Sequence, residues 1–257
     1  MEDLVMETWK GFKDFIISDK IIENAYITSF YLKSLEDDKE RLPGYLPGQF
    51  ISIRIPKEGG GYSMPRQYTL SLPSNGTYYR ISVKREEEGQ ISKLLCDTVQ
   101  VGDRVQISAP AGKFVLDEGN EPIVLIGGGI GITPMLTMAY EAKIRRRPAH
   151  LIYSVPYSDY YAFDKELKEL TEGDTSVQLT RVYTRPRLED QLQHKYDVQG
   201  RLTKEWLQEN TPSQAKFYIC GPIPFMRSIY HHLVSIGIPT ENIYYELFTP
   251  GEDITKL

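Results

Sequence analysis

Residues 122–136, "PIVLIGGGIGITPML", narrow the possible folds more than any other stretch of the chain. Ile123 to Ile126 form an unbroken apolar run, which suits a strand buried on both faces of a parallel sheet. The run passes directly into glycines, which permit a tight turn and a close backbone approach. Gly129, Gly131 and Pro134 spell G-x-G-x-x-P, departing from the dinucleotide-binding G-x-G-x-x-G at its third glycine. Thr133 is placed to cap the helix that follows, and Pro134 fits its first turn, where a missing N–H costs little. The predicted unit is strand, turn (Gly128, Gly129, Ile130, Gly131, Ile132), helix. Amides and a helix dipole at such a turn suit a pyrophosphate. The same spacing also serves a turn needed only for packing, so the rest of the chain has to decide.

Beyond residue 121 the pattern repeats. "HLIYSV", "VQLTRVY" and "KFYIC" are further short apolar runs. They alternate with "TPMLTMAYEAKIRRR", "YYAFDKELKELTE", "TKEWLQEN" and "IPFMRSIYHHLVSIG", which read as helices. That alternation predicts a doubly wound parallel sheet over residues 121–257. Residues 1–116 read differently. "QFISIRI", "RQYTLSL" and "YYRISVKR" alternate apolar with polar residues, and "LPGYLPGQ", "KEGGGYS" and "LPSNGTY" carry turn chemistry. One short helix is expected near "GQISKLLCDTV". Many short antiparallel strands predict a small β barrel. The polar join "VLDEGNEP" separates the two halves, and a length of 257 residues suits two domains.

Composition removes several function classes. The formal net charge of -5 argues against broad nucleic-acid or anionic-membrane binding. Cys96 and Cys220 are the two cysteines; far apart and without a CxxC partner, they give neither a four-cysteine metal or iron–sulfur site nor a disulfide framework. No metal site is expected, and the cysteine usage suits the cytoplasm. The N-terminus "MEDLVMETWKGFKDF" is acidic and is not read as a signal peptide, and the longest apolar stretch is too short to span a bilayer.

Two further stretches carry chemistry. "FYICGPIPFM" places Cys220, Gly221 and Pro222 at a strand end before a helix containing Met226. In an open α/β sheet, ligands bind at the carboxyl ends of strands, so both glycine turns open on one edge. Cys220 by itself reads equally as a small buried residue. In "RQYTLS", alternation puts Arg66, Tyr68 and Leu70 on one face and Gln67, Thr69 and Ser71 on the other. Both faces then carry hydrogen-bonding groups, unlike a plain surface strand.

"RQYTLS", "GGGIGITPM", "CGPIPFM" and the terminal "YYELFTP" together resemble the ferredoxin–NADP reductase superfamily, in the family's order and over nearly the whole chain. "WKGFKDFII", "YLPGQFISIRI", "YYRISVKRE", "ISAPAGKF" and "ENIYYELFTP" are most similar to the reductase portion of flavohemoglobins, the bacterial nitric oxide dioxygenases. No stretch resembles the globin that precedes this portion in that family, and the chain begins about where the linker to it would lie. The resemblance implies an antiparallel FAD-binding barrel followed by an NAD(P)-binding α/β domain. It implies hydride transfer from reduced nicotinamide to flavin N5, then release of single electrons to an acceptor such as a heme protein. Arg66 is then expected to face the FAD pyrophosphate, Tyr68 to pack on the flavin, and Thr69 to hydrogen-bond near N5, where the family more often has serine. Phe50 stands where tyrosine is usual and can stack without donating a hydrogen bond. Gln67, Ser71, Val83, Lys84, Gln90 and Ser92 match further FAD contacts, whereas Glu86 to Glu88 read as a solvated charge run. Cys220 and Glu246 would border the nicotinamide. Phe248, Thr249 and Pro250 would reach back toward the flavin, with Thr249 replacing the usual glycine.

The resemblance leaves NADH or NADPH as the donor. Thr184 and Arg185 resemble the Ser-Arg pair of NADPH-specific relatives, but Arg185 and Arg187 also read as loop cations, and Asp159 would repel a 2′-phosphate. NADH is therefore expected to be preferred, with NADPH used less well. A stand-alone flavin, quinone or ferric reductase, or a redox sensor that holds dinucleotides without turnover, would share these motifs.

Overall fold

A computed structural model describes residues 8–35, 41–173, 175–249 and 251–256. The chain divides into two compact units, residues 1–116 and 117–257.

The first unit contains β1 (Phe12–Ile22), β2 (Ile27–Ser34), β3 (Phe50–Arg54), β4 (Arg66–Thr69), β5 (Tyr79–Lys84) and β6 (Arg104–Ser108). Their order is β4-β3-β6-β1-β2-β5, and every neighbouring pair is antiparallel. An isolated bridge between Leu70 and Ile81, with Ser71 N–H donating to the Arg80 carbonyl at 2.9 Å, joins the two edge strands and closes the barrel. Closure needs a bent strand, and β1 supplies one: its register against β2 slips between Ile17 and Asp19. Inside are Phe15, Ile17, Phe30, Leu32, Ile51, Ile53, Ile81, Val105 and Ile107, all buried. Each such side chain contributes roughly 1.5–3 kcal/mol on burial. The short helix α1 (Gln90–Lys93) continues into a π-helical turn at Leu94–Thr98.

The packing follows the expected alternation in "RQYTLS": Leu70 belongs to the barrel core and Tyr68 packs against it on the same face. β4 stops at Thr69, and Leu70 and Ser71 are both fully buried. The barrel closes at this point and covers both faces: Leu70 enters the core, while Ser71 bonds to Ser82 and Arg80, which alternate along β5 with the core residues Ile81 and Val83.

The second unit runs β7 (Ile123–Gly128), α2 (Ile132–Arg145), β8 (Ala149–Val155), α3 (Asp164–Thr171), β9 (Val177–Tyr183), α4 (Leu188–Leu192), β10 (Val198–Gln199), α5 (Lys204–Asn210), β11 (Lys216–Cys220), α6 (Ile223–Ser235) and β12 (Ile243–Glu246). The sheet is parallel throughout, in the order β10-β9-β8-β7-β11-β12. The chain moves outward from β7 in one direction and then returns to its other side as β11. The switch point of the sheet therefore lies between β7 and β11, the two strands that end in glycine turns.

Three elements differ from expectation. α3 starts at Asp164, because Phe163 before it adopts the left-handed conformation (φ 63). α4 and β10 have five and two residues, too short for a periodic signal. The basic run at the end of α2 divides its work. Arg145 pairs with Glu141 at 2.7 Å, and Lys143 donates to the Leu170 carbonyl at the end of α3 at 2.6 Å. Arg147 is buried and pairs with Asp117 at 2.9 Å, tying the start of this unit to its sheet. Burial opposes ionisation of Asp117, but bonds from Lys216 and Arg147 outweigh it and hold the carboxyl well below its ordinary range.

Candidate functional site

The two glycine turns press backbone against backbone. β7 and β11 pair in register, with Gly127 opposite Cys220. A Cβ on Gly131 would lie 2.3 Å from the Cys220 carbonyl oxygen, and one on Gly221 would lie 3.0 Å from Gly128 Cα. Gly128 is closed in turn by the Phe225 ring, 2.8 Å from its would-be Cβ. Gly129 has φ +55 and open space around it, so the turn exposes bare backbone where a ligand can approach. No side chain caps α2. Thr133, expected as its cap, lies inside the first turn and donates its hydroxyl to the Ile130 carbonyl at 3.0 Å. Pro134 sits in that first turn, as its missing N–H favours. A helix start without a side-chain cap, preceded by glycine backbone that a Cβ would obstruct, fits a pyrophosphate.

Cys220 is fully buried, and burial pushes its thiol well up, with the nearby Glu246 carboxylate adding to the effect. The β11–β12 register sets Glu246 directly beside it. Glu246 is raised to about 7 by burial, and its Oε2 is buried without a hydrogen-bond partner among the described residues. Of the other predicted residues here, Ile130 is half-buried and Ile132 buried, while Pro222 is exposed at the start of α6. Met226 does not line the turn. Its side chain lies wholly in the apolar core, and its N–H donates to the Pro222 carbonyl at 3.0 Å, supporting the turn from behind. Phe248 and Thr249 are exposed, and Pro250 lies outside the described residues. Thr184 is half-buried and Arg185 exposed, after β9. Asp159, expected to act as a bare charge, is paired with Arg187 at 2.8 Å.

In the barrel, β3 and β4 align Phe50 with Thr69, Ile51 with Tyr68, Ser52 with Gln67 and Ile53 with Arg66. Arg66 is exposed; its Nη1 donates to the Pro65 carbonyl at 3.0 Å, and no acid among the described residues pairs with it. Tyr68 is half-buried against the barrel core, and that burial pushes its phenol up. Thr69 is buried at the strand end, whereas Gln67 and Gln90 are exposed. Lys84 is half-buried and pairs with Glu86 at 2.7 Å. The side chains of three predicted residues are buried. Ser71 shares a hydrogen bond with Ser82 at 2.8 Å and accepts one from Arg80 at 3.0 Å. Val83 belongs to the core. Ser92 accepts from the Glu86 N–H at 3.2 Å and so orders the loop before α1. What these three offer a ligand comes through the backbone they hold.

Two contributors went unnoticed in the sequence. Phe225 packs behind both glycine turns, and an aromatic after "CGPIP" was the available signal. Gly112, with φ +118, places its would-be Cβ 3.0 Å from the Phe50 ring; its signal was the glycine in "APAGKF".

Residues 15–116 match the oxidoreductase FAD-binding domain, and residues 125–231 the oxidoreductase NAD-binding domain. A flavohemoprotein of Bacillus thuringiensis subsp. konkukian is 36% identical over 255 residues, covering 96% of this chain and 63% of that protein. One of Oceanobacillus iheyensis is 40% identical over 257 residues, covering 96% and 62%. The chain thus spans less than two thirds of the length of these curated relatives. The flavohem-like FAD/NAD-binding domain of nitric oxide dioxygenase from Vibrio cholerae O1 biovar El Tor superposes with a TM-score of 0.82 at 34% identity, covering 93% of this chain and 99% of that one. Flavohemoglobin from Malassezia yamatoensis, with bound FAD and heme, gives 0.81 at 26% identity, covering 93% and 60%.

An FAD-binding barrel followed by a parallel-sheet NAD-binding domain defines a two-domain FAD- and NAD-binding class of oxidoreductase. The chain belongs to that family, and within it to the branch formed by the FAD/NAD portion of flavohemoproteins.

Proposed function

We propose that the chain is an NAD(P)H-dependent FAD oxidoreductase that delivers electrons to a heme protein. The observation that carries this reading is the pair of glycine turns at the switch point, with Cys220 and Glu246 side by side at their rim. The names of the relatives, flavohemoprotein and flavohemoglobin with bound FAD and heme, support a heme acceptor. When bound, FAD supplies a ring that accepts hydride and passes electrons on singly.

The protein's own groups hold and orient. Arg66, paired with no acid among the described residues, offers a cation to a pyrophosphate. Tyr68 offers an aromatic face, Thr69 a hydroxyl and Phe50 an apolar wall. Gln67, Lys84 and Gln90 supply polar contacts, and Ser71, Val83 and Ser92 fix the backbone beneath them. In the NAD-binding domain the amides from Gly128 to Thr133, with Pro134, Gly221 and Pro222 shaping the walls, hold the dinucleotide's phosphates. Burial keeps Cys220 protonated, so the nicotinamide meets a neutral, polarisable sulfur. Glu246, poised near neutrality, can hold a proton beside it. Neither group has to act as acid or base in hydride transfer. Phe248 and Thr249 are the exposed groups that follow them.

Thr184 and Arg185 meet the adenosine end, with NADH preferred over NADPH. The free thiols of Cys96 and Cys220 suit a cytoplasmic setting, and no helix among the described residues is long and apolar enough to cross a membrane. An acceptor screen tests the proposal. Under steady NADH, a ferric heme protein should be reduced faster than free flavin, quinone or ferric chelates; the reverse order would point to a stand-alone reductase.

A further inference from the structure

In a doubly wound sheet the adenosine ribose is read at the strand ends beside the switch point. There an acid accepts from a 2′-hydroxyl, or a cation meets a 2′-phosphate. In this domain the relevant loops follow β8 and β9, and they are bound to one another. Thr184 N–H donates to the Val155 carbonyl and Arg185 N–H to the Pro156 carbonyl, each at 2.9 Å. Asp190, fully buried, accepts from Arg187 N–H at 3.0 Å and from Ser158 N–H at 3.4 Å. The guanidinium of Arg187 lies 3.9 Å over the Tyr157 ring, and its Nη1 is 2.8 Å from Asp159 Oδ2. Tyr157 in turn packs edge-on against Tyr160, with ring centroids 5.0 Å apart. Arg187 and Asp159 are 50% and 46% exposed, so a ligand can reach both. Arg185, also exposed, pairs with no acid among the described residues.

We propose that Arg187, through its ion pair with Asp159, sets the discrimination between a 2′-hydroxyl and a 2′-phosphate in the bound dinucleotide. The proposal rests on the reading of this domain as the nicotinamide-dinucleotide site. Arg185 and the Arg187–Asp159 pair lie exposed on these loops, and Arg187 masks the acid. An unmasked Asp159 would favour a ribose hydroxyl and repel a phosphate. A released Arg187 would join Arg185 against a phosphate, and its placement on Tyr157 means little ordering is needed. Each partner therefore hides the preference of the other, and removing either exposes the opposite one.

The test is calorimetric titration of the FAD-loaded protein with 5′-AMP and 2′,5′-ADP, which differ only by the 2′-phosphate. Asp159→Asn should tighten 2′,5′-ADP relative to 5′-AMP by roughly fivefold, and Arg187→Ala should weaken it by a similar factor, the upper range for a half-exposed pair. In the double variant most of the Asp159→Asn gain should vanish, because no arginine remains to be released. Retained 5′-AMP affinity certifies the fold in each variant. The NADPH-to-NADH ratio of kcat/KM should follow the same order. Affinity ratios within twofold of the starting protein in both single variants would overturn the inference while leaving the dinucleotide site intact. Failure of the unaltered protein to bind either nucleotide would overturn the site itself.

Discussion

The two halves of this molecule build their sites from opposite materials. In the barrel the candidate groups are side chains: an exposed Arg66, a half-buried Tyr68 and a buried Thr69 on one short strand. In the α/β domain the decisive feature is the lack of side chains, because Gly131 and Gly221 let two strand ends meet backbone to backbone. A site made of side chains can lose function and keep its fold. A site made of close-packed backbone cannot lose its glycines without disturbing the fold as well.

The largest expected effect follows from that contrast. Gly131→Ala drives a methyl to 2.3 Å from a backbone carbonyl that cannot rotate away. We expect a loss of about 3 kcal/mol or more in urea unfolding. Gly129→Ala, with φ +55 but open space, should cost only about 1–2 kcal/mol. Equal costs at the two positions would erase the distinction between close approach and conformational freedom.

Arg66→Ala addresses the other half. It should weaken FAD binding by about 1.5–3 kcal/mol, the value of a hydrogen bond to a charged group, with the apoprotein unfolding unchanged. FAD retention equal to that of the unaltered protein would take Arg66 out of the site.

Glu246 predicts a pH dependence. Its folded value of about 7 lies above the ordinary 4.5, so the folded state holds the proton more tightly than the unfolded chain. Its contribution is present in full below pH 4.5 and is lost as pH rises through 7. Glu246→Gln should flatten that part of the stability-versus-pH curve. An unchanged slope would assign it to other groups.

A small effect, confined mainly to rate, is expected at Cys220→Ala. The variant should keep its FAD and unfold nearly normally, yet reduce its flavin more slowly, if the residue positions the nicotinamide as proposed. A reduction rate equal to that of the unaltered protein would remove that role.

Much of this was legible in the sequence where a single physical rule dominates. The apolar runs Ile123–Ile126 and Lys216–Cys220, each followed by glycine, announced a parallel sheet with two turns on one edge; the switch point itself came from the strand order. Alternation announced the barrel strands. What escaped depended on neighbours distant in sequence. Leu70 and Ser71 are both buried because the barrel closes there, a pairing with Arg80 and Ile81 that no local pattern reveals. Met226 was placed correctly in its helix but faces the core, and Thr133 stands inside the first turn of its helix rather than at the cap. Asp159 read as an isolated acid because its partner, Arg187, belongs to the loop after the next strand.

The central claim is that the two halves act as one NAD(P)H-dependent FAD oxidoreductase. Anaerobic stopped-flow mixing of the FAD-loaded protein with NADH tests it most directly. The account predicts rapid loss of the oxidised-flavin absorbance, followed by its return when a ferric heme protein is added. Bound FAD whose spectrum does not change under excess NADH would contradict it.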